Sequence, residues 1–379
     1  MTLATIDGKQ SVRCGGSAPG ASVLSKWRRR PGRSAVLVND IYLAGVASWL
    51  PAREPIGQGR YEPGQQDEYA WESATVAGGD ETVVGMAVRA GQLALRRSGV
   101  DPADVSLLIH AHTWFQGLDL WTAASYVHHA LLGENRIAQA LDLNQQCPGG
   151  VSALQVAAEH LIADPSRSAA MVTTADRFAL PGLDRWHAEG PEFILGDGAA
   201  AVVLSRSRGF ARLVAVRSVA DTALEPMYRS DSEFTLFSLA PLGPFDAHAR
   251  SEAFRDVMEL DEVIFRLNRG HADAVHGLLE EAGLTLGDVR RFVFPNVGLS
   301  MLVDLVQPLG IDVSQTAWEF GRTTGHVGAA DPINGLMWLI EQGELEVGDR
   351  VVLVGIGSGF NWASALVECV EVPDWSPAA

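Results

Sequence analysis

Cysteine is scarce in this sequence. Only Cys14, Cys147 and Cys369 occur among 379 residues, and an odd number of cysteines makes a poor disulfide framework. The chain has no CxxC or HExxH motif and no cluster of His and Cys at metal-ligand spacing, so we predict no metal site and no cofactor. The first residues lack the apolar segment of a secretory signal, which predicts reduced thiols and a cytoplasmic location.

Long apolar runs and an excess of basic residues are also missing. No run reaches the roughly 18 apolar residues that a membrane helix needs, so we predict no membrane span. The formal net charge of −17 argues against a nucleic-acid partner, because such partners favour a basic surface. Residues 1–35 are polar and locally basic, and we predict that they form a flexible N-terminal arm.

What the sequence does contain is an internal repeat. Strand-like and helical segments alternate along it, which is the pattern of an α/β fold. The stretch 94–113 parallels 278–297, each with a helix end, a glycine, an Asp-Val pair and a strand. The stretch 147–175 parallels 326–359, each with a turn, a helix and a strand. Self-similarity of this kind predicts a fold built from two similar units.

The repeat divides the chain into two predicted halves, residues 36–207 and residues 266–379. The segment 208–265 has no counterpart in the repeat, and we interpret it as an insertion that lines a substrate entrance. Cys147 and His326 occupy corresponding strand-to-helix turns of the two halves. Two halves packed about a pseudo-twofold axis would bring both turns to one central site.

Cys147 is the candidate nucleophile. A polar stretch precedes it, and Pro148, Gly149 and Gly150 lead from it into a helix of small residues. A helix N-terminus favours the thiolate, which is the reactive form of cysteine, and the glycines let the backbone approach a ligand closely. The alternative is a buried thiol that acts as a small hydrophobic side chain.

His326 is the candidate base. It lies between glycines in RTTGHVGAADPING, which predicts an exposed turn into a helix. A neutral imidazole at this place would take the proton of the thiol and later activate a hydroxyl or amine.

A glycine-containing loop follows the apolar strand RVVLVGI. The loop residues are Gly357, Ser358, Gly359 and Phe360. Such a turn can direct a backbone N–H at a thioester oxygen, with the N–H of Cys147 as the second donor of an oxyanion hole. An ordinary β-turn at a strand end is the alternative interpretation.

These motifs together resemble a known family. In order and spacing they are similar to the β-ketoacyl-ACP synthase III branch of the thiolase superfamily, over about residues 40–369. The resemblance implies a five-layered αβαβα fold of two similar halves, a homodimer, and Cys147 as the catalytic cysteine. The motifs that carry it are LDLNQQCPGGVSALQVAAEHL, FILGDGAAAVVL, TTGHVGAADPINGL and GIGSGFNWASALVE.

The chain departs from the family at the two partners of the cysteine. The family's histidine follows a strand-plus-proline segment like FVFPNVG, where this sequence has Asn296. The family's asparagine follows a glycine, where this sequence has His326. The histidine and asparagine are thus exchanged, which changes the atom that the imidazole can deprotonate.

A catalytic imidazole needs a third group to orient it. The candidates are Asn361, Asn296 and Asp331. We favour Asn361 and Asn296, because a side chain five positions further along a helix is expected to point away from the turn of His326.

Three functions fit these observations. The favoured one is an acyltransferase that moves an acyl group from a carrier-protein or CoA thioester, through Cys147, to a hydroxyl or amine of a secondary metabolite. The segment that precedes residue 82 lacks the basic motif of the CoA-using relatives, which favours the carrier protein. The second is a decarboxylative ketosynthase that tolerates the exchange, and the third is a non-catalytic partner subunit.

Bulky side chains near the predicted loops are candidates for the substrate site. Trp114, Trp121 and Trp186 would wall an acyl pocket, although such residues are more often core or interface. The segment 112–130 resembles the dimer-contact region of the family, which implies that a residue near Leu120 reaches the acyl tunnel of the partner subunit.

Overall fold

Strands and helices alternate through the part of the chain that a computed structural model describes, which is residues 35–57, 65–229, 234 and 244–375. These residues all belong to one compact unit, Arg33–Ala379. The strands are β1 (Val36–Leu37), β2 (Tyr42–Trp49), β3 (Arg53–Pro55), β4 (Ser73–Thr75), β5 (Val105–Ala111), β6 (Gln139–Leu143), β7 (Ala169–Asp176), β8 (Gly198–Ser205), β9 (Ala211–Ala220), β10 (Arg291–Val293), β11 (Arg350–Gly357) and β12 (Asn361–Cys369). The helices are α1 (Gln65–Tyr69), α2 (Val83–Ser98), α3 (Ala123–Leu132), α4 (Gly149–Ala163), α5 (Pro226–Arg229), α6 (Ala247–Phe254), α7 (Leu260–Glu281), α8 (Leu299–Val306), α9 (Trp318–Thr324) and α10 (Asp331–Glu341).

Most of the strands form one mixed sheet that is made of two half-sheets. The N-terminal half-sheet has the order β6-β5-β7-β8-β2, and the C-terminal one has the order β10-β11-β12-β9 with β1 beside β9. Only two residue pairs, Tyr42 with Arg212 and Leu43 with Ala211, join β2 to β9. The two half-sheets are therefore nearly separate layers, linked at one corner.

Two helices fill the space between the half-sheets. Both α4 and α10 contact strands of the N-terminal and of the C-terminal half-sheet. In α4, Val151, Leu154, Ala157 and Leu161 are buried, as expected of a helix that is apolar around most of its surface. Helices α2 and α3 cover the outer face of one half-sheet, and α7 covers the outer face of the other. The predicted five-layered αβαβα arrangement is confirmed.

The predicted repeat is present as secondary structure. A helix, a short 3-10 turn and a strand recur as α2–β5 and α7–β10. A turn, a helix and a strand recur as α4–β7 and α10–β11. One detail differs from the prediction, because His326 follows helix α9 rather than a strand.

The segment 208–265 is not one insertion. Its residues 211–220 form β9, which pairs with β12 and β2 inside the main sheet. The alternation of buried and partly exposed residues in ARLVAVRSVA is that of a strand, but two arginines and a serine weaken the apolar pattern. The end of the segment, at residue 265, falls within α7. The predicted arm, residues 1–35, lies outside the described residues apart from Ala35, which is buried.

Candidate active site

Cys147 lies in the turn between β6 and α4. Leu143 ends the strand, Gln146 takes a left-handed conformation with φ +60°, and Gly149 begins the helix. The Gly149 N–H donates to the Gln146 carbonyl over 2.8 Å and closes the turn. Cys147 is a free thiol and is half-buried. The turn therefore places the sulfur near the positive end of a helix that is buried between the half-sheets.

His326 is held against the N-terminal half by its own backbone. Its N–H donates to the carbonyl of Ile194 over 2.7 Å, and its carbonyl accepts from the Gly196 N–H over 2.8 Å. Its side chain is 3% exposed, and Nε2 lies 3.0 Å from Sγ of Cys147. The two turns that the repeat relates therefore do meet, and the sulfur and the imidazole are in hydrogen-bond contact.

The other imidazole nitrogen contacts a buried carboxylate. Nδ1 of His326 lies 2.5 Å from Oδ2 of Asp331, which is fully buried. The same carboxylate accepts the backbone N–H of Val327 over 2.7 Å and that of Asn296 over 2.8 Å. Cys147, His326 and Asp331 thus form a continuous thiol–imidazole–carboxylate chain.

The preference for Asn361 or Asn296 as the group that orients His326 is wrong. It assumed a regular helix after His326, whereas Gly328 takes φ +57° and Asp331 begins α10, so its carboxylate points back at the turn. Among the described residues, the side-chain amide of Asn361 hydrogen-bonds to its own loop, at the carbonyl of Gly359 3.5 Å away. An acidic residue at the start of a helix is a recognisable signal for such a contact with the preceding backbone.

Asn296 supports the carboxylate instead. Its side-chain nitrogen donates to Oδ1 of Asp331 over 3.1 Å and to the carbonyl of Gly325 over 2.7 Å. Both donor hydrogens of the amide are therefore engaged within the protein. Asn296 orders the group behind the imidazole and does not present its amide nitrogen to a ligand.

The charges around His326 raise its pKa. Burial by itself lowers the pKa of the imidazole, but the negative charges of Cys147 and Asp331 and the hydrogen bonds to both outweigh burial. The pKa of His326 therefore lies well above its ordinary value. An imidazolium beside the sulfur stabilises a thiolate, which is the form that attacks a thioester.

The predicted glycine-containing loop lies against Cys147. It joins β11 to β12, and a Cβ placed on Gly357 would be 3.0 Å from the backbone nitrogen of Cys147 and 2.4 Å from Cδ of Pro148. The N–H of Phe360 already donates to the Gly357 carbonyl over 2.9 Å. Because the N–H of Phe360 is used within the turn, it is not free to bind an oxyanion. The backbone N–H groups of Ser358, Gly359 and Cys147 remain as candidate donors, and the oxyanion hole stays a prediction.

Comparison with known proteins assigns this arrangement to a family. The model "3-Oxoacyl-[acyl-carrier-protein (ACP)] synthase III" matches residues 141–222, and its C-terminal counterpart matches residues 279–369. A solved structure titled "ChlB3 [Aceyltransferase]" is 35% identical, with a TM-score of 0.81, over 89% of this chain and 100% of that one. The chain belongs to the synthase III-like family of the thiolase superfamily.

Two further relatives of this synthase III-like chain have lower sequence identity to it. The β-ketoacyl-[acyl-carrier-protein] synthase III of Streptomyces lividans is 27% identical over 80% of this chain and 84% of its own length. The structure of a priming β-ketosynthase from the R1128 polyketide biosynthetic pathway is 23% identical, with a TM-score of 0.69, over 90% of this chain and 100% of that one. At this level of identity the second comparison supports the fold alone.

The bulky residues predicted for the site of this synthase III-like chain separate into three groups. Trp114 lies beside the site, where its backbone N–H donates to Oδ1 of Asp176 over 2.7 Å. Trp186 is partly buried and packs in a small cluster with Trp71. Leu120 and Trp121 lie on the surface, 107% and 37% exposed. Within a single chain these two residues do not line the site, so their role at a partner subunit stays a prediction.

Asp176 packs against the turn that follows His326 in this family member. It ends β7, is fully buried, and also accepts the Thr113 N–H over 2.8 Å. A Cβ added to Gly328 would lie 2.5 Å from its Oδ2. Burial raises the pKa of Asp176 to about 7, although its hydrogen bonds with backbone N–H groups oppose the rise.

Sequence reasoning missed three side chains beside the sulfur and the imidazole. Phe193 packs edge-on against His326, with ring centroids 6.0 Å apart. Glu189 and Tyr228 are hydrogen-bonded to each other and interact electrostatically with His326 and Cys147, respectively. Glu189 and Phe193 come from the loop between β7 and β8, and Tyr228 comes from the short helix α5. Neither segment has a periodic pattern of apolar residues or a motif that would identify it.

The described residues of this synthase III-like chain contain neither a candidate metal cluster nor a helix suited to crossing a membrane. Within residues 35–57, 65–229, 234 and 244–375, no group of three or more His, Cys, Asp or Glu side chains is placed to hold a metal ion. In the same part of the chain, none of the helices has the length and apolar character needed to span a bilayer.

Proposed function

We propose that this protein is an acyltransferase. It takes an acyl group from a carrier-protein or CoA thioester, holds it on Cys147, and passes it to a hydroxyl or amine of a small secondary metabolite. The observation that carries the proposal is the single chain of contacts from Cys147 through His326 to Asp331. This is the arrangement of a general base that serves a nucleophile and then an acceptor.

The first half-reaction acylates the cysteine. The thiolate of Cys147 attacks the carbonyl carbon of the donor, so that a new C–S bond forms and the donor C–S bond breaks. The imidazolium of His326 gives its proton to the departing thiolate, so the donor leaves as a thiol. The negative charge of Cys147 disappears in this step, which removes one cause of the raised pKa of His326.

The second half-reaction uses the neutral imidazole. His326 takes the proton of the acceptor hydroxyl or amine while its oxygen or nitrogen attacks the acyl carbon. The C–S bond to Cys147 breaks and the thiolate returns beside a protonated His326, which Asp331 stabilises through Nδ1.

The position of Asn296 supports acyl transfer over condensation. The resemblance implies that condensing relatives hold a malonyl thioester carbonyl jointly with histidine and asparagine. Here the side-chain amide of Asn296 donates hydrogen bonds to Asp331 and Gly325. Its N–H groups are therefore not available to hold the carbonyl of a malonyl thioester. The acyltransferase title of the 35% identical structure agrees with this proposal.

Decarboxylative condensation is the second candidate, because several relatives are named β-ketoacyl-[acyl-carrier-protein] synthase III. The two reactions differ in a product that can be measured. A condensing enzyme releases CO₂ from a malonyl thioester during turnover, whereas an acyltransferase releases none.

Intact-protein mass spectrometry tests the proposal. Wild type, Cys147→Ala, His326→Ala and the matched control Cys369→Ala are mixed with acyl thioesters of a carrier protein, CoA and N-acetylcysteamine. We expect an acyl adduct on wild type and Cys369→Ala but none on Cys147→Ala. An adduct on His326→Ala that persists with acceptor assigns His326 to the transfer step. Complete absence of adducts would favour the non-catalytic partner subunit.

A further inference from the structure

Glu189 and Tyr228 form a second polar pair next to the thiol–imidazole chain. Their side chains share a hydrogen bond, Glu189 interacts electrostatically with His326, and Tyr228 does so with Cys147. The ring of Tyr228 lies 6.1 Å from that of Phe360, the last residue of the loop that packs on Cys147. The pair is therefore near both reacting groups but makes none of the contacts that orient them.

The backbone fixes the position of this pair. The carbonyl of Tyr228 accepts from Nη1 of Arg250 over 2.9 Å, which ties α5 to α6. At the start of α6, the N–H of Ala247 donates to the carbonyl of Ala188 over 2.7 Å, directly before Glu189. These bonds anchor the loop of Glu189 and the helix of Tyr228 to one another, so the two side chains are presented together.

The chemistry of the pair suits a ligand that donates hydrogen bonds. Burial, followed by the charge of Glu189, raises the pKa of Tyr228 well above its usual value, so the phenol keeps its proton and donates it to Glu189. The remaining carboxyl oxygen of Glu189 and the lone pairs of the phenol are then acceptors. The ring of Phe360 lies beside Tyr228 and the ring of Phe193 beside His326, and a hydrogen bond among such apolar groups is stronger than one in water.

We infer that Glu189 and Tyr228 bind the nucleophilic amino group of an amine acceptor and hold it beside the acyl group on Cys147. The inference rests on the proposed function and adds to it a binding site for the second substrate. The neutral amine has two N–H bonds, so it donates one to the pair and gives the proton of the other to His326, while the C–S bond of the acyl-enzyme breaks as the new amide bond forms.

The test separates the two half-reactions. Four proteins are acylated with acetyl- or benzoyl-N-acetylcysteamine and desalted: wild type, Glu189→Gln, Tyr228→Phe and the control Glu134→Gln. The control residue is exposed and follows the end of α3. Ethylene glycol or ethanolamine is then added, and loss of the adduct is followed by mass spectrometry. These two probes differ only in a hydroxyl or an amino group.

We expect all four proteins to form the acyl-enzyme at the wild-type rate. Loss of the adduct to ethanolamine should slow about tenfold or more in Glu189→Gln and Tyr228→Phe, because each loses a hydrogen bond to the attacking amine. Loss to ethylene glycol should slow less, because the single hydrogen of an attacking hydroxyl goes to His326, and equal slowing with both probes would contradict an amine site. Unchanged transfer, or acylation that falls in parallel with transfer, overturns the inference.

If no donor acylates the wild type, the proposed function is contradicted. The binding site for the acceptor can still be tested by a binding measurement. The rate at which iodoacetamide alkylates Cys147 is measured with and without ethanolamine and ethylene glycol. We expect the probes to slow alkylation of the wild type and to have less effect on Glu189→Gln. Equal protection of both proteins, or no protection of the wild type, overturns the inference.

Discussion

Nδ1 of His326 lies 2.5 Å from Oδ2 of Asp331. This contact fixes the ring so that Nε2 faces the sulfur of Cys147 at 3.0 Å. The carboxylate that makes it is held by the N–H groups of Val327 and Asn296, so the orientation of the imidazole is set by the fold around α10.

Replacing the carboxylate by an amide tests this orientation. In Asp331→Asn the amide cannot stabilise an imidazolium and favours the wrong tautomer, so we expect both half-reactions to slow about 10³-fold. Rates are measured from the growth and decay of the Cys147 adduct. Asp304→Asn, at an exposed position of α8, is the matched control. Rates within a few-fold of wild type for Asp331→Asn would contradict the role of Asp331.

The protonation of His326 should depend on the sulfur. Removing the thiolate in Cys147→Ala deletes one of the charges that raise the pKa of the imidazole, so we expect this pKa to fall relative to wild type. In wild type, the raised pKa contributes stability that is present below about pH 6.5 and is lost as the pH rises through the folded value. Nitrogen NMR of labelled histidine measures the titration in both proteins. An unchanged pKa in Cys147→Ala would count against an imidazolium–thiolate pair.

The raised pKa of Asp176 should make the stability of the protein depend on pH. Its folded pKa of about 7 lies above its unfolded value, so the folded state binds more protons between the two. The free energy of unfolding should therefore fall as the pH rises from about 4 to about 7, by a few kcal/mol from this group. Urea unfolding of wild type and Asp176→Asn at several pH values isolates the effect as a difference. A constant difference across this range would show that Asp176 does not titrate there.

The close approach of Gly357 to Cys147 gives a steric test of the glycine-containing loop. A methyl group in Gly357→Ala would press on Cδ of Pro148 at 2.4 Å and on the Cys147 nitrogen at 3.0 Å. We expect the loop to shift and acylation to slow about 10²-fold, the size of the effect when one oxyanion donor is lost. Gly78→Ala has open space around its Cβ and serves as control. If Gly357→Ala is acylated at the wild-type rate, the loop is not part of the oxyanion site.

The exposed apolar residues near α3 test the predicted homodimer. Phe115, Leu118 and Leu120 are 52%, 62% and 107% exposed, which is unusual for large apolar side chains unless a partner covers them. We expect Leu120→Asp to shift the protein from dimer to monomer in light scattering and to lower transfer activity. Val347→Asp, at a residue that is also exposed, should leave the dimer intact. A monomeric wild type would contradict the prediction.

The sequence was sufficient for the features that repeat. Cys147 and His326 stand at related turns, so the two similar halves and the central contact could be predicted from the repeat, whereas the five layers were implied by the family resemblance. The contact of Asp331 with His326 could not be predicted, because it depends on the positive φ of Gly328. The pattern of apolar residues carries no information about the φ of a single glycine.

Features that depend on a single tertiary contact could not be predicted. Strand β9 carries polar residues whose partners come from a helix packed on the sheet, for example Arg217, which donates to the carbonyl of Asp273 in α7. Glu189 and Tyr228 are 39 positions apart by their numbering, and they meet only because α6 anchors the two segments that carry them.

The backbone contacts of His326 have a consequence for how activity and assembly are coupled. The sulfur belongs to the first half of the chain and the imidazole to the second, yet the imidazole is aligned by hydrogen bonds to Ile194 and Gly196 of the first. Neither half can hold a reactive pair alone, and a small rotation of one half against the other would separate the two groups. Reactivity of Cys147 is therefore a chemical reporter of whether the two halves have joined in their native register.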